Sequence, residues 1–234
     1  MANRLDPRAA AQRSSRVRTW WEPVFGALLL GSLVVTPPVV AAPPGTPSRS
    51  AEQPPAPGAE VRALHAAIMR TRDHQGLAFA VIDKRAAALH VYNAEGHLLA
   101  STAVLLGLSR GDDSVPGIGD RALGDIQPHE RTTPAGRFVS EPGVNLQGED
   151  IVWIDYTAAV SIHRLRPVHV SQRRAQRLAS PTPDDNRITH GCVNVPQAFY
   201  ERHLAPLFGR QHALVYVLPE QRPLAEVFAQ LLQP

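Results

Sequence analysis

The stretch Ile188-Thr189-His190-Gly191-Cys192-Val193-Asn194-Val195-Pro196 holds the only cysteine of the 234-residue chain. One thiol makes no internal disulfide, and a chain this sparing of cysteine has little reason to expose one unless its chemistry is used. That chemistry is nucleophilic. The thiolate is the reactive form, and a free thiol with a pKa of about 8.5 is mostly protonated at neutral pH, so a catalytic cysteine needs a base, a cation or oriented amides beside it. Gly191 lets the backbone approach a substrate closely, and the consecutive N–H groups of Gly191 and Cys192 are candidates for holding a developing oxyanion.

The base must come from elsewhere in the chain, because thiol and imidazole partners are neighbours in space rather than in sequence. Of the ten histidines, His163 fits best. In Ala-Val-Ser-Ile-His-Arg-Leu, strand alternation puts Val160 and Ile162 on one face and Ser161 and His163 on the other, which fixes the imidazole at a strand end away from the apolar layer. His169 is the rival. His90, His97, His129 and His203 read as surface or helix-flank residues, and His190 reads as pocket-lining rather than as the base.

The elements that must position these residues can be read from periodicity. Val61, Leu64, His65, Ile68 and Met69 recur at helical spacing and open the domain with a short amphipathic helix. LAFAVID, AAALHVYN and HLLASTAVLLG read as strands, the second and third joined as a hairpin. GRFVS, DIVWIDY, AVSIHRL and HALVYVL read as further strands. Helices are expected over SQRRAQRLAS, over QAFYERHLAPLF with an interruption near Pro206, and over LAEVFAQLL. Residues 108–135 are too rich in Gly, Pro and Asp for a regular element and form a long loop. The expected fold class is α+β and β-rich, packed sheets with peripheral helices.

Together these residues resemble the YkuD-type L,D-transpeptidase catalytic domain of bacterial cell-wall enzymes. That family carries [Ser/Thr]-His-Gly-Cys-hydrophobic-[Arg/Asn], an earlier Ile-His usually followed by glycine, and a Thr-Pro-x-Gly-x-Phe strand opening, matched here by THGCVN, by Ile162-His163 and by TTPAGRF. The resemblance covers roughly residues 77–219. It implies packed mixed sheets, with Cys192 as nucleophile, His163 as base, Gly191 and Cys192 as oxyanion amides, and Thr189, His190 and Asn194 shaping the substrate pocket. It further implies peptidoglycan stem peptides as substrate, with an amine, a wall-linked protein or water as acceptor, and neither metal nor organic cofactor. Three departures stand out, one of them the long acidic, glycine-rich loop before TTPAGRF, which the resemblance does not explain. Arg164 replaces the usual glycine after the histidine, placing a guanidinium at the pocket beside the base. The 25 residues between His163 and Thr189 exceed the family's usual gap, and the 19 after His169 come nearer it. Strand context favours His163, with VSQRRAQRLAS as the insertion that lengthens the gap.

Other chemistry is less well supported. His163, His190 and Cys192 with Asp184 or Asp185 lack the short paired-ligand spacing of a zinc site. Asp112, Asp113 and Asp120 do not follow a calcium-loop pattern and read as a solvated loop. Arg173, Arg174 and Arg177 read as a solvated helix face. A wall-binding module without turnover is the non-enzymatic alternative.

The net charge of +3 does not make a nucleic-acid binder. Arg4, Arg8, Arg13, Arg16 and Arg18 against Asp6 and Glu22 account for all of it, and the other 19 basic and 19 acidic residues balance. Those arginines precede the apolar run Val24–Val35 and the small residues of TPPVVAA, so residues 1–42 read as an export signal or an uncleaved anchor, the only expected membrane contact. No cysteine follows the run, which excludes a lipoprotein. Residues 43–59 read as a proline-rich tether, 60–220 as the catalytic domain and 221–234 as a C-terminal helix. The expected location is the periplasm or cell envelope.

Overall fold

Phe79–Asp83 reads Phe-Ala-Val-Ile-Asp, and in the computed structural model, which describes residues 55–166 and 169–233, its first four residues are buried. The expected export signal, and the tether up to residue 54, lie outside the described residues. In chain order the elements are helix α1 (Ala59–Thr71), strands β1 (Phe79–Asp83), β2 (Ala88–Tyr92), β3 (Leu98–Ala103), β4 (Leu106–Gly107), β5 (Gly136–Val144), β6 (Asp150–Asp155) and β7 (Val160–Arg164), helix α2 (Arg174–Leu178), then strands β8 (Arg187–Thr189) and β9 (Val193–Val195). Gln197–Phe199 (α3) runs through a π turn at Tyr200–Leu204 into Ala205–Phe208 (α4). Strand β10 (Ala213–Val217) and the short helices α5 (Leu224–Val227) and α6 (Ala229–Leu232) follow.

Eight strands form one mixed sheet in the order β3-β2-β1-β10-β5-β6-β7-β9, and β4 with β8 forms a second, two-stranded one. The pairs β1/β10, β7/β9 and β4/β8 are parallel. The fold is α+β and mostly sheet. Because side chains alternate along a strand, β1 feeds two cores at once. Ala80 and Ile82 join Val215 and Val217 of β10, Ile162 of β7, Val193 and Val195 of β9, and Tyr200, Leu204 and Phe208 of the helical segment. Phe79 and Val81 join Leu214 and Tyr216 on the other face, with Val61, Leu64 and Ile68 of α1 and with Phe228 and Leu231. Leu89 and Val91 of β2 share the first core with β9 at the far end of the strand order, so the sheet curls into a nearly closed form.

Three expectations are modified. HLLASTAVLLG is not one strand: it divides into β3, which pairs β2 as the expected hairpin, and β4, which pairs β8. The expected C-terminal helix is two short ones: the segment is broken at Phe228, packs on α1, and is tied there by Arg70 Nη2 donating to Leu231 O at 2.8 Å. His90 is buried, with its Nδ1 2.8 Å from Ser101 Oγ.

The long loop is built from three 3-10 turns, Ile118–Asp120, Leu123–Asp125 and Pro128–Glu130. It begins with a buried charge cluster rather than a solvated acidic run. Lys84, 0% exposed, donates to Asp112 Oδ1 at 2.8 Å, to Thr133 O at 3.0 Å and to Gly111 O. Asp112 also accepts the backbone N–H groups of Glu220, Gln221 and Arg222 at 2.7–3.0 Å. Burial works to raise its pKa, but Lys84 and those amides overcome it and hold the carboxyl well below the usual range. Glu220 pairs with Arg187 at 2.6 Å. Two cations and two anions thus join the β1–β2 turn, the loop, the exit from β10 and the strand that leads into Thr189.

Candidate active site

The parallel register of β7 and β9 sets Ile162 opposite Val193 and His163 opposite Asn194. Ile162, Val193 and Val195 go into the core, so alternation sends Ser161, His163, Cys192 and Asn194 to the other face. The four make a two-by-two array. Ser161 Oγ lies 3.7 Å from Cys192 Sγ, and Asn194 Nδ2 lies 3.0 Å from His163 Nε2. Cys192 Sγ also stands 3.7 Å from Ala159 O. Thiol and imidazole are therefore diagonal neighbours on one face, and among the described residues they share no hydrogen bond.

The protons of this array have one consistent assignment. Arg174 has no acceptor atom, so its Nη1, 2.8 Å from Asn194, bonds the amide oxygen Oδ1. Asn194 must then turn its Nδ2–H toward His163, making Nε2 the acceptor. His163 Nδ1 carries the hydrogen and donates it to Arg164 O at 2.8 Å. The bare lone pair is on Nε2, on the side of Asn194. Burial above all, with the charges of Arg166 and Arg174 assisting and Glu149 opposing, pushes His163 down to about 4, so the ring is neutral at physiological pH.

Arg164 does not stand at the pocket. Its side chain takes the opposite face of β7 from His163, where Nε donates to Glu201 at 2.5 Å, Nη1 lies 2.9 Å from Asp150 Oδ1, and the guanidinium rests 4.1 Å over the Tyr200 ring. The guanidiniums that His163 feels belong to Arg166 and Arg174. Arg174, read from sequence as part of a solvated face, is half-buried; burial pulls its pKa down, and Cys192 works against that shift. The sequence clue to it was the lengthened gap between His163 and Thr189. His169 is exposed and bonds Ser171 in its own turn.

The THGC turn is closed by side chains. Thr189 is buried; its hydroxyl donates to Cys192 O at 2.7 Å and accepts the Gly191 N–H at 3.1 Å. Thr189 is thus a brace for the turn and not a pocket wall, and the Gly191 N–H expected at an oxyanion is already engaged. The Cys192 N–H has no hydrogen-bond partner among the described residues. Gly191 has φ +136°, and a Cβ there would meet Thr132 O at 2.8 Å, so no other residue fits. The long loop presses from that side. Thr133 Oγ1 donates to Gly191 O at 2.7 Å and accepts Gly107 N–H at 2.9 Å, and Leu108 N–H donates to Thr189 O at 2.9 Å. His190 is half-buried; burial, then Arg131 and Arg174, lower its pKa, and the Leu123 backbone works against them. Asp184 and Asp185 pair with Arg110 and Ser180, and among the described residues no three His, Cys, Asp or Glu side chains converge as metal ligands.

No protein-family model and no curated protein sequence matches the chain. Solved structures do resemble it. The helical cell shape determining protein Pgp2 from Campylobacter jejuni is 16% identical with a TM-score of 0.40, over 62% of this chain and 49% of that one. An L,D-transpeptidase from Mycobacterium smegmatis is 16% identical at 0.34, over 60% and 58%. An L,D-transpeptidase from Stackebrandtia nassauensis is 14% identical at 0.38, over 71% and 69%. The chain thus spans about half the length of the first of these and under two thirds of the second. Likeness at this level is partial overlap of folds, and the chemistry of this chain has to be read from its own residues.

Proposed function

We propose that the chain is an exported cysteine acyltransferase of the L,D-transpeptidase kind, acting on peptidoglycan stem peptides in the cell envelope. The observation that carries this is the shared face of β7 and β9, which holds the sole thiol and, diagonal to it, a neutral imidazole whose unprotonated Nε2 accepts from Asn194. The family resemblance of THGCVN supplies the substrate class.

In this scheme His163 Nε2 releases the Asn194 N–H and takes the Cys192 proton as Sγ attacks the carbonyl at the L-centre of a diaminopimelate residue. The oxyanion faces the Cys192 N–H. The C–N bond to the terminal D-alanine breaks, the leaving amine takes the proton from His163, and a thioester remains. An amine of a second stem, or of a wall-linked protein, then attacks the thioester. The C–S bond breaks, an amide forms, and the amine proton returns through His163 to the thiol. Water in place of the amine makes the same machinery a carboxypeptidase.

A carbapenem is a strained acyl donor, so intact mass should show a single adduct on the wild-type chain and none on Cys192→Ala. No adduct on wild type would remove Cys192 as nucleophile. Chromatography after incubation with a disaccharide tetrapeptide then separates the outcomes: a cross-linked dimer marks transfer, a tripeptide alone marks hydrolysis, and an untouched tetrapeptide excludes this donor.

A further inference from the structure

Arg174 is a partly buried cation without an acid. Its Nε donates to Gln172 Oε1 at 2.6 Å and its Nη1 to Asn194 Oδ1 at 2.8 Å; both acceptors are neutral amides, and no carboxylate neutralises it among the described residues. A charge withdrawn from water without a counter-charge is costly, and an arrangement that tolerates one is prepared to receive an anion. Arg174 also lines a cavity of about 440 Å³, together with Leu165, Arg166, Val170 and Arg173. Arg166 does have an acid, Glu149 at 2.5 Å, which leaves Arg174 as the uncompensated cation that also bonds the catalytic array. Its field reaches Cys192, His163 and His190 alike.

We propose that this cavity is a carboxylate-binding subsite anchored by Arg174, and that it takes the terminal carboxylate of the acyl donor. The proposal rests on the acyl-transfer reading for the identity of its ligand. In a peptide with one residue beyond the scissile bond, the carboxylate is a single carbon removed from the leaving nitrogen, so an anchor for it must stand close to the thiol. Arg174 bonds Asn194, two residues after Cys192 and on the same face as the thiol, and so stands there. A donor longer by one residue carries its carboxylate elsewhere and forfeits the contact.

Binding also acts on the base. The groups facing His163 are Arg166, Arg174 and Glu149, with Arg164 O on Nδ1 and Asn194 on Nε2. A carboxylate on Arg174 cancels one of the two cations, while Arg166 keeps Glu149, and His163 becomes a stronger base once the donor is in place.

The test uses the full chain in two arms. In the first, N-acetyl-D-alanine is titrated into Cys192→Ala while the His163 imidazole is followed by nuclear magnetic resonance across pH. The acid should raise the His163 midpoint; N-acetyl-D-alaninamide should not, and Arg174→Met should abolish the response while Arg174→Lys keeps part of it. No response to the acid, an equal response to the amide, or a response that survives Arg174→Met overturns the subsite. In the second arm, tetrapeptides ending in a carboxylate or a carboxamide are compared for Cys192 acylation. The carboxamide should raise KM roughly ten- to a hundredfold, the scale of one charge-assisted hydrogen bond, and Arg174→Met should erase that difference. Equal KM values overturn the subsite and leave the acyl-transfer reading standing. A His163 response without any acylation keeps the subsite and removes that reading.

Discussion

His163 is neutral because it is buried beside two guanidiniums, and that has consequences for pH at the scale of one residue. The folded ring binds its proton only near pH 4, whereas in the unfolded chain it does so near 6.5. The unfolded state therefore takes up the proton first as pH falls. The stability contributed is full above about 6.5 and is lost progressively toward 4, on the order of 3 kcal/mol. Urea midpoints at pH 7 and pH 4.5 should differ more for wild type than for His163→Asn, and Cys192 acylation should persist into mild acid before failing near pH 4. His163 and Cys192 were legible in the sequence because strand alternation and the HGC run each mark a single residue. Arg174 was not, since its role depends on an amide 20 positions further on, and a five-residue helix is too short to display a face. The Gly191 N–H was misread because a neighbouring hydroxyl competes locally for backbone donors, and a motif does not show who wins.

Among the elements, the 108–135 loop carries the argument that composition could not. Its Gly, Pro and Asp content correctly denied it a helix or strand, yet its threonines decide the geometry of the thiol turn. The Thr133 hydroxyl bridges Gly107 N–H and Gly191 O, all of it buried. In Thr133→Val the shape remains and both bonds go, so two backbone groups lose their partner at a cost of about 2–3 kcal/mol. Thermal unfolding should shift down accordingly, and acylation of Cys192 should slow more than at a comparably destabilised site remote from the turn. Strands β8 and β9 escaped the sequence reading because three residues show no period; they exist because β4, Leu105 and β7 offer them partners.

The whole molecule is held by two apolar clusters and the charge cluster of Lys84, Asp112, Arg187 and Glu220. The α+β class and most strands were legible because burial on one or both faces writes itself into alternation or into apolar runs. The charge cluster was not, because its members come from four distant places and each alone reads as a surface residue. Its cooperation makes it brittle. Lys84→Met takes the ammonium from buried Asp112, which keeps its backbone amides, while Glu220 keeps Arg187; removing one partner of a buried pair typically costs about 3–5 kcal/mol. Chemical denaturation should show the loss, and because Arg187 is the first residue of β8, which runs to Thr189, the thiol turn should loosen with it.

Lys84 has one more property: it is the only lysine in the sequence, and it is sealed from solvent. On the acyl-transfer reading, an activated thioester on Cys192 is in danger of modifying its own chain, since any accessible ε-amine is a competing acceptor. Here the described surface is cationic through arginine, whose guanidinium is a poor nucleophile, and the single primary amine among its side chains is out of reach. Under native conditions an N-hydroxysuccinimide ester should add to Cys192→Ala at the amino terminus alone, with a second addition at Lys84 after unfolding. Acyl groups held on Cys192 should likewise pass to added amines or water without accumulating elsewhere on the chain.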